Sequence, residues 1–296
     1  KKIKSFYSLY YLKKLMANPI RLFRVLIGKE LNVRYAELPL TTICTLKCKG
    51  CSALIDSYPA AFTRHMDINE IMAQLNSLVN AADSITWLRL LGGEPLCYPH
   101  LYEVLSFINK EDKIKKCDIA TNGTLLIKDE RIISVLKNKK FIISISDYGN
   151  ISRKKDKLIN QLIQNNIKTG IAPHETWHDF GDLTIRNYSK AELREMFYYC
   201  KCKSSTSSKS ILHGRMFMCS RNSHGANLGK IPLKEKDYVD LLDNTVSPQE
   251  MKKRLFKFLY GYIPYVEGCK YCSHVRHCKS IPVAEQINVN DRQSYV

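Results

Sequence analysis

The chain has 296 residues, 45% of them hydrophobic, and a formal net charge of +18. That length buries one large core, or a barrel-sized domain with a smaller companion. No run of about 18 apolar residues is present, which excludes a membrane-spanning helix, and no secretory signal is visible. The charge favours phosphates, nucleotides, nucleic acid or an anionic membrane surface as neighbours.

Residues 1–32 carry eight Lys or Arg against the single acid Glu30, interleaved with Phe6, Tyr7, Tyr10 and Tyr11. This reads as a basic amphipathic helical extension, divided at Pro19 and suited to peripheral contact with the inner membrane surface or an acidic partner.

From residue 33 strands and helices alternate. Apolar runs at 33–41, 85–91, 116–121, 141–146 and 168–172 predict strands. Helices are expected from Asp67, over 98–110, near 128–138 and near 153–166. Asp67 and Glu70 form a capping box for the first, in which Ile71, Leu75, Leu78 and Val79 recur at helical spacing. Alternation of this kind predicts an α/β fold with a parallel sheet. Five strands are too few to close an eight-fold barrel, so residues 33–190 are expected to form a partial, TIM-like (β/α)5-6 barrel. Beyond about residue 190 the alternation stops. A polar loop at 203–210 leads to a hairpin around "ILHGRMFMC", and 191–296 is expected to be a small cluster-bearing domain.

The eleven cysteines fall in groups, not at staple-like intervals. Grouped thiols in a chain with no visible secretory signal predict metal binding in a reducing cytoplasm. Cys44, Cys48 and Cys51 of "CTLKCKGC" follow the first strand directly, and active sites of parallel α/β folds gather at strand carboxyl ends. Soft thiolates select zinc or iron–sulfur clusters. Three of them on a 4Fe–4S cluster would leave one iron open to a small chelating cofactor. The second strand ends in "LGGEP", where Gly92 and Gly93 allow close backbone approach and Glu94 can hold a cationic group.

With these paired motifs the stretch from about 35 to 175 resembles the radical S-adenosylmethionine (SAM) superfamily. The resemblance implies that Cys44, Cys48 and Cys51 hold a 4Fe–4S cluster whose fourth iron is chelated by SAM, with Gly92, Gly93 and Glu94 meeting its amino group. Reductive cleavage of SAM would give methionine and a 5′-deoxyadenosyl radical, which abstracts a substrate hydrogen. The electron would come from an external donor such as flavodoxin or ferredoxin. "TNGT" and "SISDYG" end the third and fourth strands. They offer Asn122, Ser144 and Ser146 as further SAM contacts, with Asp147 facing the substrate. Lys49 stands where many members carry an aromatic residue.

The late cysteines, Cys200, Cys202, Cys219, Cys269, Cys272 and Cys278, resemble the SPASM/Twitch extension of the same superfamily, which holds auxiliary 4Fe–4S clusters. The shorter Twitch form fits best: Cys202, Cys219, Cys269 and Cys272 are the expected ligands, Cys200 competes for the first place, and Cys278 replaces one or lies nearby. A zinc site with His274 and His277 at hand is the alternative.

Cys97, two positions beyond Pro95, is the candidate hydrogen-atom donor to a substrate radical. His174, Glu175 and Trp177 follow the fifth strand and suit a sugar ring and its hydroxyls. Arg221 and His224, after Cys219, are candidates for a substrate phosphate. The leading expectation is a radical SAM enzyme acting at a carbinol carbon of a carbohydrate, free or nucleotide- or lipid-linked, by oxidation, epimerisation or dehydration. The rivals are a peptide-modifying maturase, a glycyl-radical-enzyme activase, and a zinc-stabilised module binding nucleic acid, the last disfavoured by the paired motifs.

Overall fold

Strands covered on both faces need near-continuous apolar runs, and the "FIIS" and "CDI" runs fold accordingly. The computed structural model describes residues 30–200, 209–273 and 278–287. The extension placed at 1–32 lies outside the described residues except for its last three, as do Cys202, His274 and His277.

A short strand β1 (Asn32–Val33) precedes β2 (Ala36–Pro39). Helix α1 (Ile68–Ala81) leads to β3 (Ser84–Ile85), which pairs with β1, and to β4 (Leu88–Leu91). Then come α2 (Leu101–Lys110), β5 (Cys117–Thr121), α3 (Glu130–Leu136), β6 (Phe141–Asp147), α4 (Lys155–Gln164) and β7 (Thr169–Pro173). Strands β2, β4, β5, β6 and β7 lie side by side in that order, all parallel. The expected open α/β barrel is therefore present, with strand carboxyl ends on one rim.

After β8 (Thr176–His178) and α5 (Lys190–Tyr199) come β9 (Lys209–Leu212) and β10 (Arg215–Phe217). This is the expected hairpin, but it does not stand apart. Strand β9 adds to the free edge of β2 in parallel, and β10 and β11 (Tyr238–Asp240) extend the same sheet antiparallel. All four residues of β9 are buried, so the edge that an open barrel leaves exposed is covered. Helices α6 (Ser220–Asn227) and α7 (Pro248–Tyr260) flank this part, and β12 (Ser280–Pro282) pairs with β8. One buried cluster runs from Leu31 through the sheet to Val266.

Helix α1 starts where Asp67 accepts the N–H groups of Asn69 and Glu70, half of the expected capping box. Glu70 does not reach back to Asp67; its carboxylate lies 3.1 Å from Nδ1 of His213 in the β9–β10 turn. Among the described residues, no helix is long and apolar enough to cross a membrane.

Candidate active site at the cysteine rim

The two motifs are laced together by the backbone. Leu40 donates to the Leu91 carbonyl at 2.8 Å, Gly93 to Thr41 at 2.7 Å and Glu94 to Ile43 at 2.9 Å. A Cβ on Gly92 would run into the Thr41 carbonyl, and one on Gly93 into the Ile43 carbonyl and the Cys44 side chain. Only glycine permits this approach, which sets the end of β4 directly against the first cysteine.

The Glu94 side chain links β5 to the end of the glycine motif. It is fully buried, and its carboxylate accepts from the Thr121 hydroxyl at 2.8 Å, the Asn122 N–H at 2.8 Å and the Leu96 N–H at 3.1 Å. Burial pushes its pKa up to about 7 against the pull of these donors. Asn122 in turn directs Nδ2 at Cys44 Sγ (3.6 Å) and at Thr45 Oγ1 (3.1 Å).

The trio consists of free thiols in low-dielectric surroundings. Burial raises Cys44 to about 12 and Cys48 to about 11, and raises Cys51 as well. Each sulfur nevertheless has donors aimed at it. Cys44 receives the Leu46 N–H and Asn122, Cys48 receives Gln286, and Cys51 receives N–H groups of residues 53–55. Sulfurs held by N–H donors beside a glycine cradle fit a thiolate-ligated cluster, whose binding deprotonates the thiols. Among the described residues, no three His, Cys, Asp or Glu side chains stand close enough to share a single metal ion.

At the mouth, Tyr148 packs edge-on to Trp177 and tilted against His174, both at 5.6 Å between ring centroids. Burial raises Tyr148 to about 12, Ser146 hydrogen-bonds it, and the three cysteines are its electrostatic neighbours. His174 and Trp177 thus come to the cysteine rim, while Glu175 is exposed beside them. Asp147 is held by Lys155 Nζ at 2.7 Å and the Gly149 N–H at 2.9 Å, and this pair keeps its carboxyl below the usual range. Ser144, on β6, faces Gly170 of β7. Cys97 lies in the single turn after Glu94, half-buried, with its pKa raised by burial and by that carboxylate. Tyr148 and Gln286 escaped the sequence reading. Tyr148 could have been found from its place in "SISDYG", whereas nothing local marks Gln286.

The late cysteines also converge. Cys269 is held well above its ordinary pKa by burial first, and then by Cys219, Cys200 and Cys272. Cys200, Cys219 and Cys272 are thus the cysteine neighbours of Cys269 among the described residues, and Cys202 lies outside them. Cys278 lies beside Asp179, whose N–H bonds Lys279 next to it. Two residues assigned to a phosphate are engaged otherwise. Arg221 donates to the Gly181 and Tyr271 carbonyls. His224 is fully buried, 2.8 Å from the Tyr58 hydroxyl, and burial lowers its pKa to about 4. A sealed, neutral imidazole does not bind phosphate, because it has neither charge nor access.

Comparison with known proteins agrees with this geometry. The Radical SAM superfamily model matches residues 38–163. A GTP 3′,8-cyclase of Stenotrophomonas maltophilia is 36% identical over 93 residues, 31% of this chain and 27% of that protein. The antilisterial bacteriocin subtilosin biosynthesis protein AlbA of Bacillus subtilis is 30% identical over 112 residues, 38% of this chain and 23% of that protein. The chain thus spans only about a quarter of each of these curated relatives. The crystal structure of BtrN in complex with AdoMet and 2-DOIA superposes with a TM-score of 0.50 at 16% identity, covering 87% of this chain and 98% of that one. That likeness concerns the fold. The superfamily uses a 4Fe–4S cluster and SAM, and its model covers residues 38–163, under half of this chain, the stretch in which the cysteine trio and the glycine motif lie.

Proposed function

We propose that Cys44, Cys48 and Cys51 hold the SAM-binding cluster, that Gly92–Glu94 seat the SAM amino group, and that the enzyme takes a hydrogen atom from a carbinol carbon of a sugar-bearing substrate. When bound, the cluster and SAM supply the electron and the adenosyl group for radical generation. The chain's own residues do the rest. The glycine cradle lets backbone carbonyls and N–H groups approach SAM, and Asn122, Ser144 and Ser146 offer polar contacts along the same rim. Tyr148, His174 and Trp177 form an aromatic wall that orients a ring-shaped substrate and excludes water from the radical site. Cys200, Cys219, Cys269 and Cys272 are the proposed ligands of an auxiliary cluster that accepts an electron from the substrate radical.

The hydrogen-bonded lacing of "LGGE" against the segment leading into Cys44 carries this reading. The relatives named GTP 3′,8-cyclase and the net charge of +18 favour a nucleotide-linked sugar over a free one. A second reading, a peptide substrate, rests on the relative named for subtilosin biosynthesis. The test is anaerobic. Reconstituted and reduced protein given SAM forms 5′-deoxyadenosine, detected by mass spectrometry, and C48A forms at least 100-fold less. Deuterium transferred from labelled nucleotide sugars, GTP or peptides into that product identifies the substrate class. Undiminished product from C48A would sink the assignment.

A further inference from the structure

Residues 280–287 form a strap across the loop that carries Cys48. One end is β12, paired with β8. The other end pairs antiparallel with the cysteine loop: Lys49 donates to the Glu285 carbonyl at 2.8 Å, Ile287 donates to the Lys47 carbonyl at 2.9 Å, and Gln286 faces Cys48. Between them Ala284 is fully buried with a φ of 52°, a turn that a non-glycine residue keeps only under tight packing. The strap also explains Gly50, which has a φ of 71° and whose missing Cβ leaves the space, 2.5 Å away, that Ile281 Cδ1 fills.

The Gln286 amide has one orientation available. Its Oε1 accepts the Lys47 N–H at 2.9 Å, and its Nε2 donates to the Ala284 carbonyl at 2.6 Å and to Cys48 Sγ at 3.2 Å. Turning the amide over would set donor against donor at Lys47 and oxygen against oxygen at Ala284. The Lys47 N–H and the Ala284 carbonyl therefore force an N–H toward the sulfur.

We propose that Gln286 is a positioning residue that tunes the cluster held by Cys44, Cys48 and Cys51, its amide donating to the Cys48 thiolate from a strap 238 residues downstream. This rests on the cluster assignment proposed above. An N–H donor aimed at a ligating sulfur favours the more negative, reduced cluster and so raises its reduction potential. Burial of the loop beneath the strap limits solvent access to the same sulfur.

The test is a dithionite redox titration of the anaerobically reconstituted enzyme, following the electron paramagnetic resonance signal that SAM perturbs. Q286L keeps bulk but has no donor. Q286E keeps the acceptor for Lys47 and places an oxygen, not an N–H, toward Cys48. Gln286 is exposed, so neither change empties the core. Q286L is expected to shift the one-electron equilibrium about tenfold toward the oxidised cluster, about 59 mV lower. Q286E is expected to shift it at least as far. E285Q, which changes charge on the strap but not the amide, should leave the potential within a third of that shift. Q286E also sets an oxygen against the Ala284 carbonyl and adds a charge, so Q286L decides: a wild-type potential in Q286L overturns the inference while leaving the cluster assignment intact. A wild-type protein that takes up no SAM-responsive cluster removes the assignment itself, and the inference with it.

Discussion

Asp237 is 1% exposed and has only part of its carboxylate satisfied: it accepts the Glu267 N–H at 2.9 Å, while Oδ1 is buried without a hydrogen bond. Burial raises its pKa from 3.8 to about 6. The folded state therefore binds this proton more tightly than the unfolded chain does. Its contribution is most favourable below pH 3.8, declines as pH rises to about 6, and is a standing cost at neutral pH. Asp237→Asn keeps an acceptor without the charge, so thermal melts should show a Tm gain of about 2–4 °C at pH 7.5 that vanishes near the acid limit. A lower Tm at both pH values would show instead that the carboxylate itself is required. At this scale the sequence was an uneven guide. Gly93 could be read from the sequence, because close backbone approach forces glycine there, and Cys44 stood out by its spacing to Cys48 and Cys51. His224 could not, since "SRNSHG" looks like a polar surface turn. Burial against Tyr58 comes from a contact 166 residues away.

Elements were legible wherever the signal is local. The apolar runs and helical spacings correspond to β2 and β4 through β7 and to α1 through α4, with ends trimmed by a few residues where single-turn caps intervene, as at 95–97 before α2. The β9–β10 hairpin was expected, but its attachment to β2 was not. Strand pairing across more than 170 positions leaves no periodicity to read. Its turn is the vulnerable point. His213 and Gly214 both have positive φ, 47° and 71°, the geometry of a two-residue hairpin turn that matches strand twist. A methyl on Gly214 would meet Leu242 Cδ1 at 2.5 Å. Gly214→Ala should therefore cost about 1–3 kcal/mol in urea unfolding, whereas Gly229→Ala, with open space around it, should cost less. Equal losses would show that backbone strain, not the Leu242 contact, sets the penalty.

For the whole molecule, the continuous sheet means that both cysteine groups are mounted on one frame: β2 leads into the first trio, and β10 into Cys219. Two 4Fe–4S clusters would bring about eight irons per chain. Cys272→Ala should bring this close to four while uncoupled cleavage of SAM continues, as measured by iron and sulfide analysis alongside 5′-deoxyadenosine. Loss of both would mean that the late group holds the frame together. The order of the chain adds a consequence for biogenesis. Gln286 is 238 residues from Cys48, so at ribosomal speeds of about 5–20 residues per second the nascent loop stays uncovered for roughly 10–50 s. Iron and sulfide delivered to the proposed cluster site within that interval would meet the loop before the strap covers it.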